Sequence, residues 1–203
     1  MKKILSGILV AATIGLSVFV IYFNRMPDRS IPIGDHVVSP ANGKIIAIDE
    51  TTIPDITFTK KGVVNHVSIP EIAEPMHVVI IEMNLSNVHV QRAPIAGTII
   101  RTEHFDGKHH NALGKNEQNL MDENEKVVTI FGNDHEDIGV VQVAGMAARR
   151  IRNMIEPGDT VSQGEIYGKI LLGSQVVVMI PEKRTLQVGV GDTVVDGETI
   201  LAK

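Results

Sequence analysis

The pattern Gly-Asp-Thr-Val-x-x-Gly-Glu occurs twice in this chain, at 158–165 and again at 191–198. A second pair echoes upstream, Pro40-Ala41-Asn42-Gly43-Lys44-Ile45 and Pro94-Ile95-Ala96-Gly97-Thr98-Ile99. Each Gly-Asp step suits a hairpin turn, because glycine adopts positive φ at little cost. Both pairs run into β-branched residues. Two short elements, each present twice, point to a β architecture with internal repetition.

Composition agrees. Hydrophobic residues make up 43% of 203, but aromatics only 3%, and Trp is absent. Packing must rest on Val and Ile, which favour strands. Strands are expected at 44–48, 78–81, 98–100, 127–130, 140–143, 176–180 and 186–188. The segment 144–155 is the one stretch of the body that reads as helical, with Pro157-Gly158 ending it. Residues 104–125 are polar and Gly- and Asn-rich, a loop or insertion.

The N-terminus is different. Met1-Lys2-Lys3 precedes Ile4 to Phe23, twenty residues without a charge. At about 1.5 Å per residue they span about 30 Å, one bilayer core. A secretory signal has a shorter apolar region and a small-residue cleavage site. Here Ile21-Tyr22-Phe23-Asn24-Arg25 follows, which is bulky, and Tyr22 and Phe23 suit an interfacial belt. The reading is an uncleaved membrane anchor over 1–24, a proline-containing linker over 25–39 and a β-rich catalytic domain over 40–203. Lys2 and Lys3 oppose Arg25 and Arg29, so flanking charge does not fix orientation.

Several classes are excluded or disfavoured. With no Cys, disulfides, thiolate catalysis and Cys-ligated zinc are ruled out. A net charge of −5 argues against a general nucleic-acid surface. His104, Asp106, His109 and His110 lie close in sequence but match no tight metal spacing, so no metal is expected.

Gly173-Ser174 leads directly into the run 176–180. Alone, such a step is better explained as a strand entry. Chemically it also suits self-cleavage. Gly173 offers an unhindered carbonyl that the Ser174 hydroxyl can attack, moving the acyl group from nitrogen to oxygen. Elimination and hydrolysis then leave a pyruvoyl group at residue 174, a ketone that serves amine substrates as an electron sink.

Six stretches in order make the second reading the stronger. They are Phe23-Asn24-Arg25-Met26-Pro27-Asp28-Arg29, Ser39-Pro40-Ala41-Asn42-Gly43, Asn87-Val88-His89-Val90-Gln91-Arg92-Ala93-Pro94, Asn116-Glu117-Gln118-Asn119, Val140-Val141-Gln142-Val143-Ala144-Gly145 with Ala148-Arg149-Arg150, and Gly164-Glu165 through Gly168 and Ile170 to Gly173-Ser174. Together they resemble the short bacterial and archaeal, pyruvoyl-dependent type of phosphatidylserine decarboxylase, over about 180 residues. The resemblance implies cleavage between Gly173 and Ser174, giving a small chain 174–203 that stays with the large one. It implies decarboxylation of phosphatidylserine to phosphatidylethanolamine and CO₂, with a phospholipid substrate and the membrane as partners. It makes the protein a single-pass protein of the cell membrane with its catalytic domain on the cytoplasmic side. Homo-oligomerisation stays open.

The same resemblance makes His89 the catalytic imidazole, able to accept and return protons. Arg92 is a candidate for binding the substrate's carboxylate or phosphate. On a strand, His89 and Arg92 project to opposite faces, so a bulge would be needed to unite them. Asn42 stands where the family has an Asp that orients the base. An amide oxygen can accept from an imidazole but cannot stabilise imidazolium by charge, and in a serine triad that exchange costs about 10⁴ in rate. Asp35 and Asp49 are nearby substitutes. Asn24, Met26, Gln91 and Gln118 are milder departures.

Two alternatives follow. Asn42 motivates a processing-deficient homologue that binds anionic lipid without catalysis. The repeats resemble the elements flanking the hammerhead of biotinyl and lipoyl carrier domains, which predicts a barrel-sandwich-like fold and motivates a membrane-tethered adaptor. Neither Lys169 nor Lys183 sits in a carrier-type hairpin tip, which weighs against the adaptor.

Overall fold

The computed structural model describes residues 2–52, 55–60, 63–71, 74–106, 124–145, 151–171 and 174–203. Gly173, the stretch 116–119, His109, His110, Arg149 and Arg150 lie outside the described residues. One helix, α1 (Lys2–Phe23), is followed by strands β1 (Val37–Val38), β2 (Gly43–Thr51), β3 (Asp55–Lys60), β4 (Val63–Ser68), β5 (Met76–Glu82), β6 (Val90–Arg92), β7 (Gly97–Phe105) and β8 (Lys126–Gly132). After these come β9 (Asp137–Val143), β10 (Ile151–Asn153), β11 (Thr160–Val161), β12 (Ile166–Ile170), β13 (Gln175–Pro181), β14 (Thr193–Val194) and β15 (Ile200–Ala202).

Eight strands form one curled antiparallel sheet in the order β11-β7-β8-β9-β13-β5-β2-β14. Strand β13 lies inside it, paired with β5 on one side and β9 on the other. All seven of its residues are buried. The reason is that both faces of the sheet are covered. Val176, Val178 and Ile180 enter one core with Tyr167, Phe131 and Leu201. Val177 and Met179 enter a second core beneath the β3–β4 hairpin, with Ile56, Phe58 and Val67. Burial of each such side chain stabilises by about 1.5–3 kcal/mol, so an uninterrupted apolar run is what a strand covered on both faces requires.

The sequence repeats pair crosswise. Gly43 and Lys44 pair with Val194 and Thr193, and Gly97 and Thr98 pair with Val161 and Thr160. Matching main-chain bonds reinforce each pair: Ile45 N to Asp192 O at 2.9 Å, and Ile99 N to Asp159 O at 2.8 Å. The two Gly-Asp elements therefore edge the large sheet at opposite ends. The second glycines of the two repeats, Gly164 and Gly197, have φ of +78° and +74°. Ile31 of the linker sits on both, since a Cβ on either glycine would approach Ile31 Cδ1 to 2.4 or 2.9 Å. Only glycine meets both demands.

Two expectations are corrected. Residues 151–153, read as part of a helix, form β10, because they pair with β12 along Ile151↔Ile170 to Asn153↔Gly168. Residues 186–188 form no strand; Leu186 makes a single bridge to Ala202. The cross-pairing establishes a mainly β protein with repeated edge elements, and no hammerhead arrangement follows from it.

Helix α1 is long and apolar enough to cross a membrane. Its described side chains through Tyr22 are exposed, and Phe23 alone is buried.

Candidate active site

Ser174 lies just before β13, where the β5–β13 ladder ends, and is 1% exposed. Its carbonyl accepts from Met83 N at 2.9 Å. Its hydroxyl points at the Met83 thioether, with Oγ 3.1 Å from Sδ. Sulfur is a weak acceptor, so the hydroxyl is buried without being tied to a strong one. The next residue, Gln175, carries a buried side-chain oxygen without a hydrogen-bond partner.

Met83 links Ser174 to the neighbourhood of His89. Gln91 Nε2 lies 3.9 Å from Met83 Sδ and donates to His89 O at 3.0 Å. Gln142 Nε2 in turn donates to Gln91 Oε1 at 2.9 Å. His89 O also accepts from Ile170 N on β12 at 3.0 Å. Two polar residues of β6 and β9 thus brace the turn that carries the imidazole.

The imidazole itself is fully buried. Nδ1 is 2.9 Å from Asn87 O. A carbonyl only accepts, so Nδ1 carries the proton and neutral His89 presents a lone pair at Nε2. That nitrogen is buried and has no partner among the described residues. Burial pushes the His89 pKa below its ordinary value; the Asn87 contact opposes the shift, and the charges of Lys169 and Arg25 add to it. At neutral pH His89 is therefore an uncharged base.

The foot of α1 forms one wall of this pocket. The Phe23 ring lies 4.2 Å from the His89 ring, tilted 33°. Tyr22 Oη and an Arg25 guanidinium nitrogen donate to Ser86 O at 3.2 and 2.6 Å. This places the end of the apolar helix on the turn that holds His89. Asn24 Oδ1 accepts from Lys169 Nζ at 2.6 Å.

Arg92 and Asn42 belong to a separate cluster around Asp196, which is fully buried. Asp196 accepts from Arg29 at 2.6 Å, Arg92 Nε at 2.9 Å and Asn42 Nδ2 at 2.7 Å. Arg92 also donates to Gly164 O at 2.8 Å and Pro27 O at 2.7 Å. It ties the linker to both repeats. The hydrogen bond of Asn42 is with Asp196; the position that orients His89 is filled by the main-chain carbonyl of Asn87. Asp35 pairs instead with Arg184 at 2.7 Å. Asp196 was missed in the sequence, although one signal was there: it occupies the place that Gln163 holds in the first repeat.

A buried hydroxyl with a weak acceptor and a neutral imidazole with a lone pair unpartnered among the described residues lie at the foot of an apolar helix long enough to cross a membrane, an arrangement suited to nucleophilic and proton-transfer chemistry. The comparisons agree in kind. The family profile described as phosphatidylserine decarboxylase matches residues 16–202. A putative archaetidylserine decarboxylase proenzyme of Methanocaldococcus jannaschii is 37% identical over 194 residues, covering 94% of this chain and 92% of the relative. The chain belongs to the phosphatidylserine decarboxylase family and is a decarboxylase of lipid metabolism.

Proposed function

We propose that this protein is a membrane-anchored proenzyme that cleaves itself between Gly173 and Ser174 and then decarboxylates phosphatidylserine. The observation that carries the proposal is the Ser174 hydroxyl, buried at the entry of the central strand with, among the described residues, only a weak thioether acceptor for its hydrogen bond. Family membership supplies the reaction class.

The residues fit a pyruvoyl group at this position. Ser174 has its carbonyl held by Met83 N, so the chain beyond the cut stays fixed in the β13 ladder. The unpartnered side-chain oxygen of Gln175 stands next to it as an acceptor for a substrate N–H. The pyruvoyl group supplies the electrophilic ketone and electron sink for loss of CO₂. During self-cleavage His89 Nε2 takes the Ser174 proton, and in turnover His89 returns a proton to the carbon that has lost CO₂. The foot of α1 presents the site to a substrate that stays in the bilayer.

Intact-mass measurement of the purified full chain tests this. The expected result is two fragments, 1–173 and 174–203, the smaller with a blocked N-terminus, together with CO₂ release from phosphatidylserine micelles. Ser174→Ala is expected to give one uncut chain of about 22 kDa with no activity. A wild-type protein that stays uncut and releases no CO₂ sinks the proposal.

A further inference from the structure

We propose that Lys169, with Arg25 and Arg152 around it, is the binding subsite for the phosphodiester of the lipid substrate. The inference rests on the decarboxylase reading above and adds to it the group that fixes the head group's depth.

Lys169 lies on β12, directly opposite Arg152 of β10. It is 7% exposed, yet its ammonium donates to a neutral partner, the Asn24 amide oxygen. Among the described residues it forms no ion pair, and neither does Arg25 or Arg152. Buried lysines are ordinarily paired with a carboxylate. Two buried carboxylates of this fold show the usual pairing: Asp196 takes two arginines, and Glu136 takes Arg184 at 2.6 Å. The charge that acts on Lys169 is that of Arg152, of the same sign. Burial and Arg152 both push the Lys169 pKa down, as expected of a cation missing its counter-ion.

The position suits a phosphate. Asn24, which holds Lys169, is the residue after the last of α1. If α1 spans the bilayer core, Lys169 stands at head-group level. Ile170, next along β12, bonds His89 O. Ser174 follows four residues after Ile170. A lipid that lies along α1 with its phosphodiester at Lys169 therefore extends its serine head group toward His89 and Ser174. A single anionic phosphodiester accepts from an ammonium, and Arg25 and Arg152 add long-range attraction.

The test uses the processed full-length enzyme in mixed micelles of nonionic detergent and phosphatidylserine. Lys169→Gln is expected to raise KM roughly 10- to 100-fold with kcat little changed, the signature of lost uniform binding. Self-cleavage is expected to be complete. Lys169→Arg is expected to recover most of the affinity. Inhibition by phosphatidylethanolamine separates phosphate from carboxylate, because the product keeps the first and has lost the second. Weaker product inhibition in Lys169→Gln supports the phosphate subsite; unchanged product inhibition with a raised KM assigns Lys169 to the carboxylate and overturns it. A KM equal to wild type also overturns it. Should Lys169→Gln fail to fold or process, wild type is compared on O-acylserine, which keeps amine and carboxylate but lacks phosphate. A KM for it as low as for phosphatidylserine overturns the subsite. Absence of CO₂ release from wild type would instead count against the decarboxylase reading itself.

Discussion

The buried polar groups around Asp196 and those around Ser174 and His89 are built on opposite rules. Around Asp196 the carboxylate is matched: two arginines and an amide donate to it, and Arg92 spends its remaining donors on main-chain carbonyls. Around Ser174 and His89 the groups are left short. The hydroxyl faces sulfur, and among the described residues His89 Nε2 and Gln175 Oε1 have no hydrogen-bond partner. Unmade hydrogen bonds in the interior cost about 1–3 kcal/mol each, so a protein keeps them where they serve another end. The first cluster holds the linker and the two repeats together. On the proposed function, the second holds groups that a substrate or the chain's own peptide bond would complete.

The comparison breaks most sharply at the base. His89→Gln removes the lone pair and keeps most of the volume. It is expected to slow both self-cleavage and decarboxylation by roughly 10²–10⁴ while leaving the melting temperature close to wild type. Time courses of fragment appearance and of CO₂ release measure it. An equal loss of stability and rate would mean that His89 belongs with the structural cluster.

At Asp196 the expectation reverses. Asp196→Ala strands two buried guanidinium groups and is expected to cost about 3–5 kcal/mol, seen as a lower denaturant midpoint. Asn42→Asp acts on the same cluster: it replaces the amide that donates to Asp196 with a second carboxylate. About 1–3 kcal/mol should be lost and the rate of self-cleavage should not increase. A faster cut in Asn42→Asp would show that position 42 reaches the reactive site after all.

How much of this could be read beforehand differs by element. The runs at 78–81, 127–130, 140–143 and 176–180 are legible because their strands are covered on both faces and carry unbroken Val and Ile. The β3–β4 hairpin was passed over. Its alternation, buried Ile56 and Phe58 between exposed Thr57 and Asp55, is interrupted by polar residues and offers no long apolar run. At 151–153 the helical reading of 144–155 lost to pairing with β12, a tertiary contact that local propensity does not report; 146–150 lie outside the described residues. Ser174 and His89 were visible through motif order. The partners that make them intelligible were not: Met83, Asn87 and Phe23 come together only through the sheet register and the docking of α1.

Phe23 gives the finest test of the contrast, because it is the one residue of the apolar helix that the protein claims for its own interior. Its ring covers His89, and desolvation is the main cause of the lowered imidazole pKa. Since the folded-state value lies below the unfolded one, neutral burial of His89 contributes stability above about pH 6.5. That contribution fades as pH falls toward the folded-state pKa. Activity that needs the neutral base follows the same sense, so the acid limb of kcat/KM sits below the ordinary histidine range. Phe23→Ala lets water reach the ring, which raises the pKa and moves the acid limb to higher pH. Phe23→Leu keeps an apolar cover and should leave the limb near its wild-type position. Both variants retain a helix able to span the bilayer, so a pH shift confined to Phe23→Ala, at equal membrane partitioning, would show that the helix end sets the base as well as anchoring the protein. A limb unmoved in both would confine α1 to anchoring and leave Asn87 and Lys169 as the groups that set the state of His89.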